Sequence, residues 1–96
     1  MAAIDIKRDH SLGLDEAKNR AEQLAEKLKA KMGIGYSWDG DRIRFKGDAG
    51  PAKGVEGAVT VTDKSMRVEI DLPFLMRAMK GAIAGKVNEN LDKILA

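Results

Sequence analysis

Apolar and polar residues along this chain alternate, shift to a helical period, and then alternate again. Ile4 and Ile6 stand between charged residues, a period of two that predicts a short strand. The next stretch, SLGLDEAKNRAEQLAEKLKAKMG, has a helical period. Leu14, Ala17, Ala21, Leu24, Ala25, Leu28 and Met32 fall on one face. Gly13 is placed to cap this helix, and Asp15 and Glu16 put negative charge in its first turn. Lys27, Lys29 and Lys31 lie near the other end, and Gly33 stops it. The alanines of the buried stripe let the helix lie close to whatever it covers.

Two hairpins follow. In YSWDGDRIRF, Asp39-Gly40 is a two-residue turn signal. Pairing about it sets Trp38 against Asp41, Tyr36 against Ile43 and Ile34 against Phe45. Ile34, Tyr36, Trp38, Ile43 and Phe45 then share an apolar face, with Ser37, Arg42 and Arg44 on the other. GDAGPAKG reads as a loop. VEGAVTVTDKSMRVEIDL predicts a second hairpin turning at Asp63-Lys64, with Val61 opposite Met66, Val59 opposite Val68 and Val55 opposite Leu72. Val55, Val59, Val61, Met66, Val68, Ile70 and Leu72 share its apolar face, and Glu56, Thr60, Thr62, Arg67, Glu69 and Asp71 its polar one. Pro73 suits a first helical turn, and a helix running to the end carries Met76, Met79, Ile83, Val87, Leu91 and Ile94 as its stripe. The predicted fold is α+β in two layers: an antiparallel sheet with helices on one face, in the order β-α-β-β-β-β-α. No repeat or internal boundary interrupts it, so residues 1–96 are expected to form a single domain.

Composition narrows the function classes. The chain has 96 residues and no cysteine, which excludes disulfides and thiolate metal sites. MAAIDIKRDH holds no apolar run and is not expected to be a signal peptide. No segment approaches the roughly 18 apolar residues of a membrane span. A cytoplasmic location fits these features. The net charge of +2 is modest for a nucleic-acid binder.

Catalytic constellations do not emerge, so no enzyme activity and no cofactor is expected. His10 is the sole histidine, and its neighbours Asp9 and Ser11 are too close in sequence to converge as a triad. It reads as a polar residue at a strand end, satisfied by backbone or water. Asp39 and Asp41 lack the further ligands of a calcium loop. The glycines of GDAGPAKG match no phosphate-binding fingerprint. Tyr36 and Phe45 read as core, while Trp38 sits near the hairpin tip and is a candidate contact residue. Gly81 and Gly85 lie four apart on the last helix, away from its main stripe. Each costs about 1 kcal/mol against alanine there, which suggests either close approach of a partner or a helix held by its other face.

Several of these residues also carry a family resemblance. They are His10 before the first helix, Glu16-Ala17 in its first turn, Trp38 followed by Gly40, Phe45-Lys46-Gly47, Gly54, Gly57, and the junction from Leu72 to Leu75. Over nearly its whole length the chain resembles the polyhydroxyalkanoic acid system family, small bacterial proteins often encoded near genes for polyhydroxyalkanoate storage. The resemblance implies a context rather than an activity: a non-enzymatic accessory or granule-associated protein acting by protein or apolar-surface contact. Its expected partners are the granule surface or granule proteins. The expected binding residues are Trp38, Gly81, Gly85 and His10. Two rivals stay open. One is a carrier for a small apolar ligand, with Met66, Met76 and Met79 lining a cavity between sheet and helix. The other is an RNA or ribosome contact using Arg42, Arg44, Lys46 and Lys53, diluted by Asp41, Glu56, Glu69 and Asp71. The edge strands leave a homodimer open without fixing it.

Overall fold

The computed structural model describes residues 3–47 and 53–95. The elements run β1 (Ile4–Asp9), α1 (Leu14–Met32), β2 (Ile34–Asp39), β3 (Arg42–Gly47), β4 (Glu56–Val61), β5 (Ser65–Asp71), a 3₁₀ segment (Phe74–Met79) and α2 (Lys80–Ile94). The strands form one antiparallel sheet in the order β1-β5-β4-β3-β2. This is the α+β architecture that the apolar pattern predicts. The GDAGPAKG loop lies mostly outside the described residues.

α1 packs over β2, β3 and β4, while α2 packs against β1 and α1. Ala17 and Ala21 are fully buried beside Leu24 and Ala25. Small side chains at these contacts bring the helix close to the sheet. Ile43, Val61, Met66, Val68 and Leu91 form the most deeply buried part of the core. Gly13 and Gly33 flank α1 with φ of 80° and 69°, and the Gly33 N–H closes the helix by donating to the Lys29 carbonyl at 3.1 Å. Acidic residues occupy its first turn and basic residues its last, as the helix dipole favours.

The first hairpin departs from the expected register. Trp38 pairs with Ile43, Tyr36 with Phe45, and Asp39 with Arg42, so Gly40-Asp41 forms the turn. Gly40 has φ +62°, and among the described residues no non-glycine residue has a positive φ. A turn with glycine at its first central position, and positive φ there alone, matches type II′. The shift spans two residues, so every side chain keeps its predicted face. The second hairpin has the expected register, with Val61 opposite Met66 and Val59 opposite Val68. Its Asp63-Lys64 turn is held by Thr62, whose hydroxyl accepts the backbone N–H groups of Lys64 (3.3 Å) and Ser65 (2.9 Å).

The C-terminal segment is also not the continuous α-helix expected. Pro73 opens a 3₁₀ segment, and the α-helix begins only at Lys80. Leu91 and Ile94 are buried; Met76, Ile83 and Val87 pack partly against the core; Met79 is exposed. The predicted stripe is thus fully buried at its C-terminal end, half-buried at Met76, Ile83 and Val87, and exposed at Met79. The molecule measures 37 × 23 × 23 Å.

Gly57 sits directly opposite Phe45 in the β3–β4 ladder. A Cβ on Gly57 would lie 2.4 Å from the Glu69 carbonyl oxygen and 2.5 Å from Phe45 Cζ. The ring occupies the space that the missing side chain leaves. Gly57→Ala is therefore expected to destabilise the protein by roughly 2 kcal/mol, an overpacking cost. It should appear as a lower urea midpoint at unchanged slope.

Candidate functional site

Four surfaces carry the candidate residues. The first is where α1 crosses the aromatic hairpin. Lys18, Glu22 and Glu26 recur every four residues and form one ridge of α1. Trp38 Nε1–H donates to Glu22 at 3.3 Å, and Lys18 Nζ lies 5.1 Å from the indole centroid, within cation–π reach. Lys18 also pairs with Asp41 at 3.2 Å. The Tyr36 hydroxyl donates to Glu26. Trp38 and Tyr36 are partly buried and pack against the core, and Phe45 is buried. The helix ridge thus reaches the hairpin tip and supplies partners for both polar aromatics. The four-residue spacing was a readable signal for this ridge, but only a known helix–strand pairing gives it meaning.

His10 occupies a different place. The tautomer protonated on Nε2 donates to the carbonyls of Thr62 (3.1 Å) and Ser65 (3.3 Å), while Nδ1 accepts the Leu12 N–H at 3.2 Å. Its backbone N–H donates to Lys64 at 2.8 Å. The ring fastens the β4–β5 turn to the entry of α1, and both nitrogens have protein partners.

The open face of the sheet carries both signs of charge. Arg42, Arg44 and Lys46 lie along β3, facing Glu56 on β4 and Glu69 and Asp71 on β5 across a shallow depression. Ala58, opposite both Arg44 and Glu69, is buried at its centre, as expected if the long flanking side chains fold over its methyl. Lys46 pairs with Glu56 at 3.6 Å and Arg44 with Asp39 at 3.3 Å. Arg67 grips Asp5 with both nitrogens of its fork, at 2.8 and 2.5 Å. That hydrogen bonding holds the Asp5 carboxyl below its ordinary range.

The fourth surface is the start of the C-terminal helix. Phe74 is 83% exposed and Met79 54% exposed. Ala78, Gly81, Ala82 and Gly85 are exposed beside them, and a Cβ on either glycine would meet nothing within 4 Å. Neither the 3₁₀ segment nor α2 has a side-chain cap or an acidic residue in its first turn. The second half of α2 is held firmly. Arg8 donates to Asp92 at 2.6 Å and to Asn88 at 2.9 Å, and Arg20 donates to the Ile94 carbonyl at 2.6 Å. The expected binding residues are therefore spread over three surfaces: Trp38 under the α1 ridge, His10 at the β4–β5 turn, and Gly81 with Gly85 on the exposed segment. Phe74 and Met79, which dominate that segment, were read as helix start and core. Among the described residues, no cluster of acids and histidine could hold a metal ion, and no helix is long and apolar enough to cross a membrane.

Two measurements probe these environments. The hydrogen bond to Glu26 pushes the Tyr36 hydroxyl up to about 12. Because Tyr36 is the only tyrosine, tyrosinate absorbance reports it alone. A folded-state value above the ordinary value of about 10 means its stabilisation is complete below pH ~10 and is lost as pH rises towards 12. Glu26→Gln should move the absorbance midpoint back down. Separately, Gly81→Ala and Gly85→Ala should each raise stability by up to about 1 kcal/mol, since the sites are helical and open. Thermal unfolding of the single and double variants checks the sign.

Residues 4–95 match the family described as "Putative polyhydroxyalkanoic acid system protein". No curated protein and no solved structure matches the chain. With nearly its full length covered, the protein belongs to the polyhydroxyalkanoic acid system family.

Proposed function

We propose that this protein is a non-enzymatic accessory factor of polyhydroxyalkanoate storage that works at the granule surface through apolar or protein contact. The family is one of granule-region proteins rather than a known enzyme family. The observation that carries the reading is the exposure of Phe74 and Met79 together in one segment. Scattered apolar residues are normal on a protein surface, but clustered ones point to a contact site. Met76 packs partly against the core, while Phe74, Arg77, Ala78 and Met79 are exposed, so these four side chains face solvent and are available to a partner. Gly81 and Gly85 fit this reading as the smooth flank of the same surface. Trp38 would add at most a smaller contact, since Glu22 and Lys18 already engage its indole. His10 would act indirectly, by shaping the β4–β5 turn.

The rival readings draw less support. Met66 is fully buried while Met79 is exposed, so the methionines proposed as a ligand lining do not surround one cavity. The cations of β3 are interleaved with carboxylates and partly paired to them, which weakens the field that a nucleic-acid backbone would meet.

Co-sedimentation with isolated granules, bare and protein-coated, tests the proposal. The wild-type chain should pellet with granules. Phe74→Ser combined with Met79→Ser should abolish pelleting while leaving the unfolding midpoint within the usual surface-mutation range of about 0.5 kcal/mol. Failure of the wild-type chain to pellet with either preparation would defeat the reading.

A further inference from the structure

We propose that the segment from Phe74 to Lys86 seats on a lipid surface bearing anionic headgroups. The inference rests on the reading of this segment as the contact surface, and it goes further by naming the chemistry met there. Its first support is the pairing of exposed apolar carbon with a single sign of charge. Between Asp71 and Glu89 the chain carries Arg77, Lys80 and Lys86 and no acidic residue. Lys86 reaches Glu89 at 3.5 Å, but Arg77 and Lys80 have no ion-pair partner among the described residues. On the open face of the sheet cations pair with carboxylates, as Lys46 does with Glu56. The end of α1 also carries Lys27, Lys29 and Lys31 without an acid between them, but among the described residues only the Phe74–Lys86 segment sets such cations beside exposed large apolar side chains. A basic segment with exposed apolar side chains is the pattern that binds the headgroup boundary of an anionic lipid layer.

Geometry supplies the second support. In a 3₁₀ turn, residues three apart eclipse one another, so Phe74 and Arg77 lie one above the other along the segment. An aromatic ring can then enter the acyl boundary while the guanidinium stays level with the headgroups. Lys80 follows three residues later, at the start of α2.

A third support comes from a local conflict. In water, Arg77 and Lys80 sit at the end of α2 where the helix dipole is positive, and they weaken the helix. Gly81 and Gly85 weaken it again. Against anionic headgroups, the dipole and both cations act in the same direction. The conflict therefore exists only for the unbound chain. A bare apolar polymer would accept Phe74 and Met79 but would leave the unpaired cations with nothing to do.

Vesicle co-sedimentation of the full chain tests this, with phosphatidylglycerol-containing vesicles beside vesicles of phosphatidylcholine alone and particles of bare polymer. The expected result is binding to the anionic vesicles, much weaker binding to the neutral ones, and weakening by salt. Arg77→Gln with Lys80→Gln should lower affinity for the anionic vesicles about thirtyfold, at the usual contribution of a cation near such a surface. Phe74→Ser should weaken binding to both vesicle types without unfolding the chain, as circular dichroism would report. Equal binding to both vesicle types would overturn the proposal. Binding to bare polymer or to protein-coated granules but to neither vesicle would also overturn it, while leaving the granule-surface reading intact. Binding to no vesicle and no granule would overturn both.

Discussion

Arg8 reaches from the edge strand β1 to hold Asn88 and Asp92, and the placement of α2 follows from that grip. Arg20 adds a second hold on the carbonyl of Ile94, and Leu91 and Ile94 fill the core beneath. All of these contacts fall in the last two turns of a helix of 15 residues. α1 already covers β2, β3 and β4 by way of its small alanines, so the β1 side of the sheet is left for α2. With its anchor at one end, the remainder of α2 and the 3₁₀ turn before it have less sheet to lie on. The exposed segment is the consequence of where the grip falls.

The two helices of this protein treat their own electrostatics in opposite ways. α1 has acids at its start, bases at its end and glycine at both caps, so each local choice agrees with the helix it forms. α2 begins without a side-chain cap, with Arg77 and Lys80 at its positive end and two glycines in its first half. Such a helix depends on its packed end. Its buried residues, Leu91 and Ile94, both lie at that end, and segments with few buried contacts are where local opening and binding are commonly found. A sequence that is locally consistent everywhere except in one segment directs attention to that segment.

Much of this was legible from periodicity. The strands, the extent of α1, both of its glycine caps and the second hairpin register follow from alternation and spacing alone. The first hairpin turn was not, because Asp-Gly and Gly-Asp are both good turn pairs in the stretch Asp39-Gly40-Asp41. Only backbone angles tell which positions take the positive φ. Met79 was read as core because it keeps helical register with Ile83 and Val87. Periodicity reports which side of a helix is apolar, but not how far the surface beneath it extends. Trp38 needed long-range information of the same kind: its cover comes from Lys18 and Glu22 on an element that sequence reading could place but not orient.

The ridge of α1 beside β2 has a bearing on crowding. β2 is an outer strand with one unpaired side, and Gly35 and Ser37 on it offer little to keep a neighbouring chain away. Glu22 and Glu26 stand along that strand, tied to Trp38 and Tyr36. Two copies zipped together through this edge would bring four carboxylates into close quarters, a repulsion that grows as water is squeezed out. The aromatic side chains thus position a fence. A second copy approaching through this edge meets that fence before it can extend the sheet.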